Sequence, residues 1–180
     1  ENQFVDKSGA LNAQVFKSFE SARYFTLSRL SRKDSFILVL ENEKDWDYIL
    51  PVYLRKGISL KFTSDIDWSL IDEYVNSGQI SAVYLPLKPS FINLIQHLRD
   101  HFILKNTPVI VDASAGGIGQ LHSCINSGID YVLTRISNNH ELNSLNIGAL
   151  ALSFNEDASL LNHLKEHRVI STKQRYLYSG

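Results

Sequence analysis

From residue 36 onward, short apolar runs rich in β-branched and aromatic residues alternate with stretches whose apolar positions recur every three or four residues. This alternation predicts βα units feeding a mostly parallel sheet. The strands are expected at Phe36–Leu40, Ser59–Thr63, Ala82–Leu85, Pro108–Asp112, Tyr131–Thr134 and Gly148–Ser153. Between them, three sets of residues each trace one buried helical face: Trp46, Ile49, Leu50, Tyr53 and Leu54; Leu70, Ile71, Tyr74 and Val75; and Phe91, Leu94, Ile95 and Leu98. Asp67 or Ser69 is placed to cap one helix, and Asn155, Glu156 and Asp157 to cap the last. Gly57, Gly78 and Gly128 follow helical stretches, where a residue with positive φ commonly ends the helix.

Ahead of this alternation, Leu11, Val15, Phe19, Ala22 and Leu27 predict a further amphipathic helix over residues 8–30, closed by the polar break Ser31–Ser35. The organisation is that of one domain over residues 1–180: an N-terminal helical segment over 1–35, a βα core over 36–170, and a tail or edge strand over 171–180. The fold class is α/β, a three-layer sandwich with helices on both faces of a mostly parallel sheet, Rossmann-like or flavodoxin-like. A βα barrel is the alternative architecture.

With 44% hydrophobic and 21% charged residues, the chain carries enough apolar material for a packed core. Eighteen Lys and Arg against nineteen Asp and Glu leave a net charge of −1, so no basic field favours nucleic acid. The longest apolar runs fall far short of the roughly 20 residues of a membrane helix. Cys124 is the one cysteine, which excludes an internal disulfide and fits a reducing, cytoplasmic setting. The chain starts at Glu1, lacks methionine and shows no signal-like segment, so it is expected to be a domain of a larger protein.

Open α/β sheets bind ligands beyond the carboxyl ends of their strands, so chemistry is sought there. The richest such segment runs from Asp112 to Gly119, Asp-Ala-Ser-Ala-Gly-Gly-Ile-Gly. Its glycines allow a phosphate to approach the backbone, and a following helix near Gln120 would aim N–H groups at an anion. Asp112, Ser114, Gly116, Gly117 and Gly119 are therefore the candidate binding residues for a phosphate-bearing ligand. The segment resembles the glycine-rich run of medium-chain reductases, but Asp112 or Ala113 stands where a dinucleotide fingerprint has its first glycine. A plain glycine-rich strand-to-helix turn is the simpler reading of the segment.

Other constellations are weaker. His97 with His101 and His163 with His167 have the i, i+4 spacing of a zinc pair, but Leu98 and Leu164 replace the glutamate of a His-Glu-x-x-His motif. No metal is expected. No Gly-x-Ser-x-Gly elbow exists, and Cys124 reads as a small buried residue. Glu41, Glu43, Asp45 and Asp47 form an acidic corner after the first predicted strand. The runs from Thr107 to Val111 and from Gly128 to Thr134 resemble the last two strands of response-regulator receiver domains. Here, however, no phosphoacceptor aspartate follows Leu85, and Arg135 stands near the expected lysine.

The longest resemblance is to the large domain of fold-type I pyridoxal-phosphate enzymes, the group of cysteine desulfurases, aminotransferases and cystathionine lyases. Ser8, Gly9 and Asn12 resemble the Ser-Gly-x-x-Asn start of the helix that caps the cofactor phosphate. The runs Ile37–Leu40, Gly57–Phe62, Ala82–Pro86, Pro108–Asp112, Gly128–Leu133 and Ile147–Ser153 follow in the family's order. The resemblance implies a seven-stranded sheet with one antiparallel strand, and a pairing of Asp112 with the cofactor's ring nitrogen. The Schiff-base lysine aligns with Asn138, whose amide cannot form an imine. The expectation is a degenerate, lysine-free relative that carries no cofactor and has no catalytic residue. It would act as an interaction or scaffold module with a protein partner or neighbouring domains.

Overall fold

Four of the seven strands in the computed structural model are almost wholly buried, as expected of parallel strands covered on both faces. The structure describes residues 12–64, 67–88, 107–115, 129–135 and 149–153. The strands are β1 (Asn12–Phe16), β2 (Phe36–Val39), β3 (Leu60–Phe62), β4 (Ile80–Pro86), β5 (Val109–Asp112), β6 (Tyr131–Arg135) and β7 (Ala149–Ser153). The helices are α1 (Phe19–Leu30), α2 (Leu50–Arg55) and α3 (Trp68–Asn76), with a 3-10 turn at Glu43–Trp46.

The sheet order is β1-β7-β6-β5-β4-β2-β3. Strands β3, β2, β4, β5 and β6 pair in parallel, whereas β7 runs antiparallel to both β6 and β1. A seven-stranded open sheet with one reversed strand excludes the βα barrel. It is also not the five-stranded sheet of a receiver domain, so the fold-level part of that resemblance does not hold.

Period-two alternation sorts the side chains between two cores. Leu38, Leu40, Val83, Leu85, Val109, Val111 and Val132 face the layer containing Ile71 of α3. Ile37, Val39, Ala82, Tyr84, Ile110 and Leu133 face the layer containing Phe19, Ala22 and Leu27 of α1. These are the three layers expected.

Asp67 caps α3, its Oδ1 accepting from the N–H groups of Ser69 and Leu70 at 3.0 and 3.3 Å. Gly57 and Gly78 take φ values of 75° and 69° just after α2 and α3, as their positions implied. No described helix is long and apolar enough to cross a membrane.

The helix expected over residues 8–30 is corrected: Asn12–Phe16 is strand β1, paired with β7, and the helix starts only at Phe19. A four-residue step from Leu11 to Val15 also satisfies period two, and the available edge of β7 decides between them. Ser18 then stops the strand by capping α1, its Oγ accepting from the Ser21 N–H at 3.1 Å. The stretch 46–54 likewise divides, with Pro51 sitting in the first turn of α2. The predicted helix at Phe91–Leu98 and the tail lie outside the described residues.

Candidate functional site

At the carboxyl edge of the parallel strands, on the side covered by α1, four chain segments bring polar groups together. Register places them. Val39 pairs with Tyr84, Tyr84 with Ile110, and Asp112 with Leu133, so Tyr84 and Asp112 share a face with Arg135 one pleat beyond Leu133, and Glu41 follows β2 with the same parity.

Asp112 is the centre of this edge. Tyr84 donates its hydroxyl hydrogen to Oδ2, and the Ser114 N–H donates to Oδ1 at 2.8 Å. The turn after β5 is tied further by the Leu87 N–H to the Asp112 carbonyl and the Ala113 N–H to the Leu133 carbonyl, both at 2.7 Å. Burial, then the charge of Asp112, pushes the Tyr84 phenol well above its ordinary pKa, so Tyr84 is a neutral donor throughout the physiological range. The Ser114 N–H is thus spent within the chain rather than facing outward.

Above this pair lies a plug of aromatic side chains. Trp46 stands edge-on to Tyr84 at 5.0 Å between ring centres and contacts Tyr53 and Phe62. Its indole N–H donates to Glu41 Oε2 at 2.8 Å. Burial raises the Glu41 pKa, the Trp46 hydrogen bond opposes that rise, and Asp112 adds to it. Of the predicted acidic corner, Glu41 is tied into this edge through Trp46, whereas Glu43 and Asp45 are exposed on the 3-10 turn. Among the described residues, no group of three or more His, Cys, Asp or Glu side chains is arranged to hold a metal ion.

Arg23 was not singled out from sequence. It is 5% exposed and lies under the plug, its guanidinium carbon 4.4 Å from the Trp46 ring centre and 5.5 Å from that of Phe19. Its Nη2 donates to the Tyr48 hydroxyl at 2.9 Å. The signal was present, because Arg23 falls on the buried stripe Phe19, Ala22, Thr26, Leu27, Leu30 of α1, where an unpaired cation is unusual. Arg135 lies near the first turn of α1, at 3.7 Å from Glu20 Oε1 and over the Phe19 ring at 5.2 Å.

Of the predicted binding residues, Asp112 and Ser114 are brought together here. Gly116, Gly117 and Gly119 lie outside the described residues, as do Asn138, Cys124, the histidine pairs and the Ser8-Gly9 motif. Because α1 begins at Phe19 behind its cap Ser18, the Ser8-Gly9 motif does not open this helix.

No family model and no curated protein matches the sequence. Solved structures do. The chain is similar to an O-acetylhomoserine sulfhydrylase from Wolinella succinogenes, with 17% identity and a TM-score of 0.61 over 84% of this chain and 45% of that one. It is similar to a methionine gamma lyase from Micromonospora echinospora at 16% identity and a TM-score of 0.65, covering 93% and 45%. A cystathionine gamma synthase from Xanthomonas oryzae pv. oryzae gives 14% and 0.64, covering 91% and 42%. These enzymes have the fold-type I architecture, and the present chain spans less than half the length of each. At such identities the likeness shows the fold alone.

The described residues are a poor fit for the pyridine ring that the resemblance would place against Asp112. The face over Tyr84 beside that carboxylate is filled by Trp46, which is 1% exposed, and each carboxylate oxygen has spent one of its acceptor positions on Tyr84 or Ser114.

Proposed function

We propose that this chain is a non-catalytic fold-type I domain that works as an interaction or scaffold module within a larger protein or complex. The observation that carries the reading is the internal pairing of Asp112: the one carboxylate at the end of β5 is held by Tyr84 and by the Ser114 N–H. A carboxylate so engaged stabilises its own turn, and the Trp46 ring packed on Tyr84 beside it takes up space that a bound ring would need. The alignment of Asn138 with the family's lysine supports the same reading, since an amide forms no imine. A shared fold with enzymes does not carry their chemistry over, because function resides in particular groups.

A second reading is favoured by the position of Asp112, half-buried at the carboxyl end of a central strand. In that reading the edge over Asp112, Ser114, Gly116, Gly117 and Gly119 takes a phosphate-bearing small molecule, as a sensor or enzyme domain would.

Thermal unfolding in the presence of NADP(H) or pyridoxal phosphate tests the choice. The scaffold reading expects no change in midpoint that depends on residues 112–119. A saturable rise that Asp112→Ala or Gly117→Asp abolishes would overturn it in favour of the second reading.

A further inference from the structure

We propose that Arg23, Tyr48 and Tyr53 form a binding site for an oxyanion, a carboxylate or phosphate group of a small ligand, against the Trp46 ring and built from residues other than those of the β5 turn. The guanidinium is almost fully buried, and among the described residues no carboxylate pairs with it within ion-pair distance. What surrounds it is aromatic: the Trp46 and Phe19 rings and the Tyr48 hydroxyl. Such neighbours offset a buried cation only in part, because π faces and phenol oxygens carry no full charge.

Two buried polar atoms at this place have no hydrogen-bond partner, Arg23 Nε and the Tyr53 hydroxyl. Tyr53 is fully buried and packs on Trp46, as Arg23 does. Nε and Nη2 form one edge of the guanidinium, the edge that receives two oxygens side by side. In this structure Tyr48 accepts from Nη2, and Nε makes no hydrogen bond although the Tyr53 hydroxyl lies beside the guanidinium. An oxyanion settling there accepts from both nitrogens and from the Tyr53 hydroxyl. Tyr48 then turns from acceptor to donor. Tyr48 is 68% exposed, so the group that must move for entry is the one already facing solvent.

The test uses the intact chain at constant ionic strength, titrated with succinate in one arm and inorganic phosphate in another, with sodium chloride as the control. Thermal midpoint and tryptophan fluorescence are read together. The expected result is a saturable fluorescence change and a midpoint rise of roughly 5 °C at saturation in at least one arm, absent with chloride. The responding arm identifies the oxyanion. Arg23→Met should abolish the response and unfold at an equal or higher temperature without ligand, since it removes an unpaired buried charge. If that variant does not fold, Tyr48→Phe, at an exposed position, should fold and weaken binding several-fold. No response in either arm, a response that chloride reproduces, or one that survives unchanged in Arg23→Met or Tyr48→Phe overturns the site. A response that Asp112→Ala removes, while Arg23→Met leaves it, assigns binding to the sheet edge instead and also overturns it.

Discussion

The hydroxyl of Tyr84 on β4 donates to the carboxylate of Asp112 at the end of β5, joining two neighbouring parallel strands through their side chains at the edge where α/β sheets usually meet ligands. Tyr84 is fully buried, so its hydroxyl would be costly to leave unpaired, while the half-buried Asp112 carboxylate that accepts from it stands at the margin of the core.

Removing the donor tests the strength of this tie. Tyr84→Phe keeps the ring against Trp46 and leaves Asp112 with the Ser114 N–H alone. A loss of about 1.5–3 kcal/mol in urea unfolding is expected, the range for hydrogen bonds to charged groups. A loss within error would mean that Asp112 does not depend on Tyr84.

Glu41 gives a pH signature. Its folded pKa is raised above the ordinary 4.5, burial being the largest cause, so the fold disfavours the carboxylate form. Its contribution to stability is therefore fully present below the ordinary value and is lost as pH rises through the folded one. Glu41→Gln retains an acceptor for the Trp46 indole and should gain on the wild type over that window. Denaturation midpoints of both proteins across pH 3–8 (about five units, spanning the carboxylate range) would show it. A wild type that gains on the glutamine variant as pH rises contradicts the assignment.

Asp67 behaves oppositely. Hydrogen bonds from Ser69 and the Leu70 N–H lower its pKa, so its stabilising effect is present above the ordinary 3.8 and disappears as pH falls through the lower folded value. Asp67→Ala should lower the thermal midpoint at neutral pH and flatten its acid dependence, while Asp67→Asn, another good cap, should restore much of the midpoint. Equal midpoints for all three at neutral pH would remove the cap from the account.

Gly78 ends α3 at φ 69°, with nothing within 4 Å of where a Cβ would stand. Alanine there meets no clash, and its cost is conformational, about 1–2 kcal/mol. Chemical denaturation of Gly78→Ala should report that loss, with Gly78→Asn losing less because asparagine tolerates this region. Alanine and asparagine costing the same would argue against it.

The parallel strands and the side chains that fill both cores were accessible from the sequence wherever the period was unambiguous, whereas the strand order is set by pairings between distant segments and was not. Val109 to Val111 and Ala82 to Leu85 are short continuous apolar runs rich in β-branched or aromatic residues and bounded by polar or turn residues, which marks them as buried strands. Around Val15 the pattern fitted two periods, and only pairing with β7, distant in sequence, settled it as a strand. The edge was legible in part for the same reason. Asp112 was marked by its place at a strand end, whereas its partner Tyr84 sits two residues before the end of an apolar run and reads there as core. Arg23 could have been found as a cation on the buried stripe of α1, but Tyr48 and Tyr53 come from the turn after the 3-10 element and from a short helix, whose geometry local periodicity does not encode.

The most direct test of the central claim is a titration of the purified chain with pyridoxal phosphate at low micromolar concentration, followed by imine absorbance and by intact mass after borohydride reduction. A non-catalytic, cofactor-free domain gives no saturable band and no single-site adduct beyond that of the denatured chain. A saturable band of one equivalent per chain, lost in Asp112→Ala, would contradict that claim.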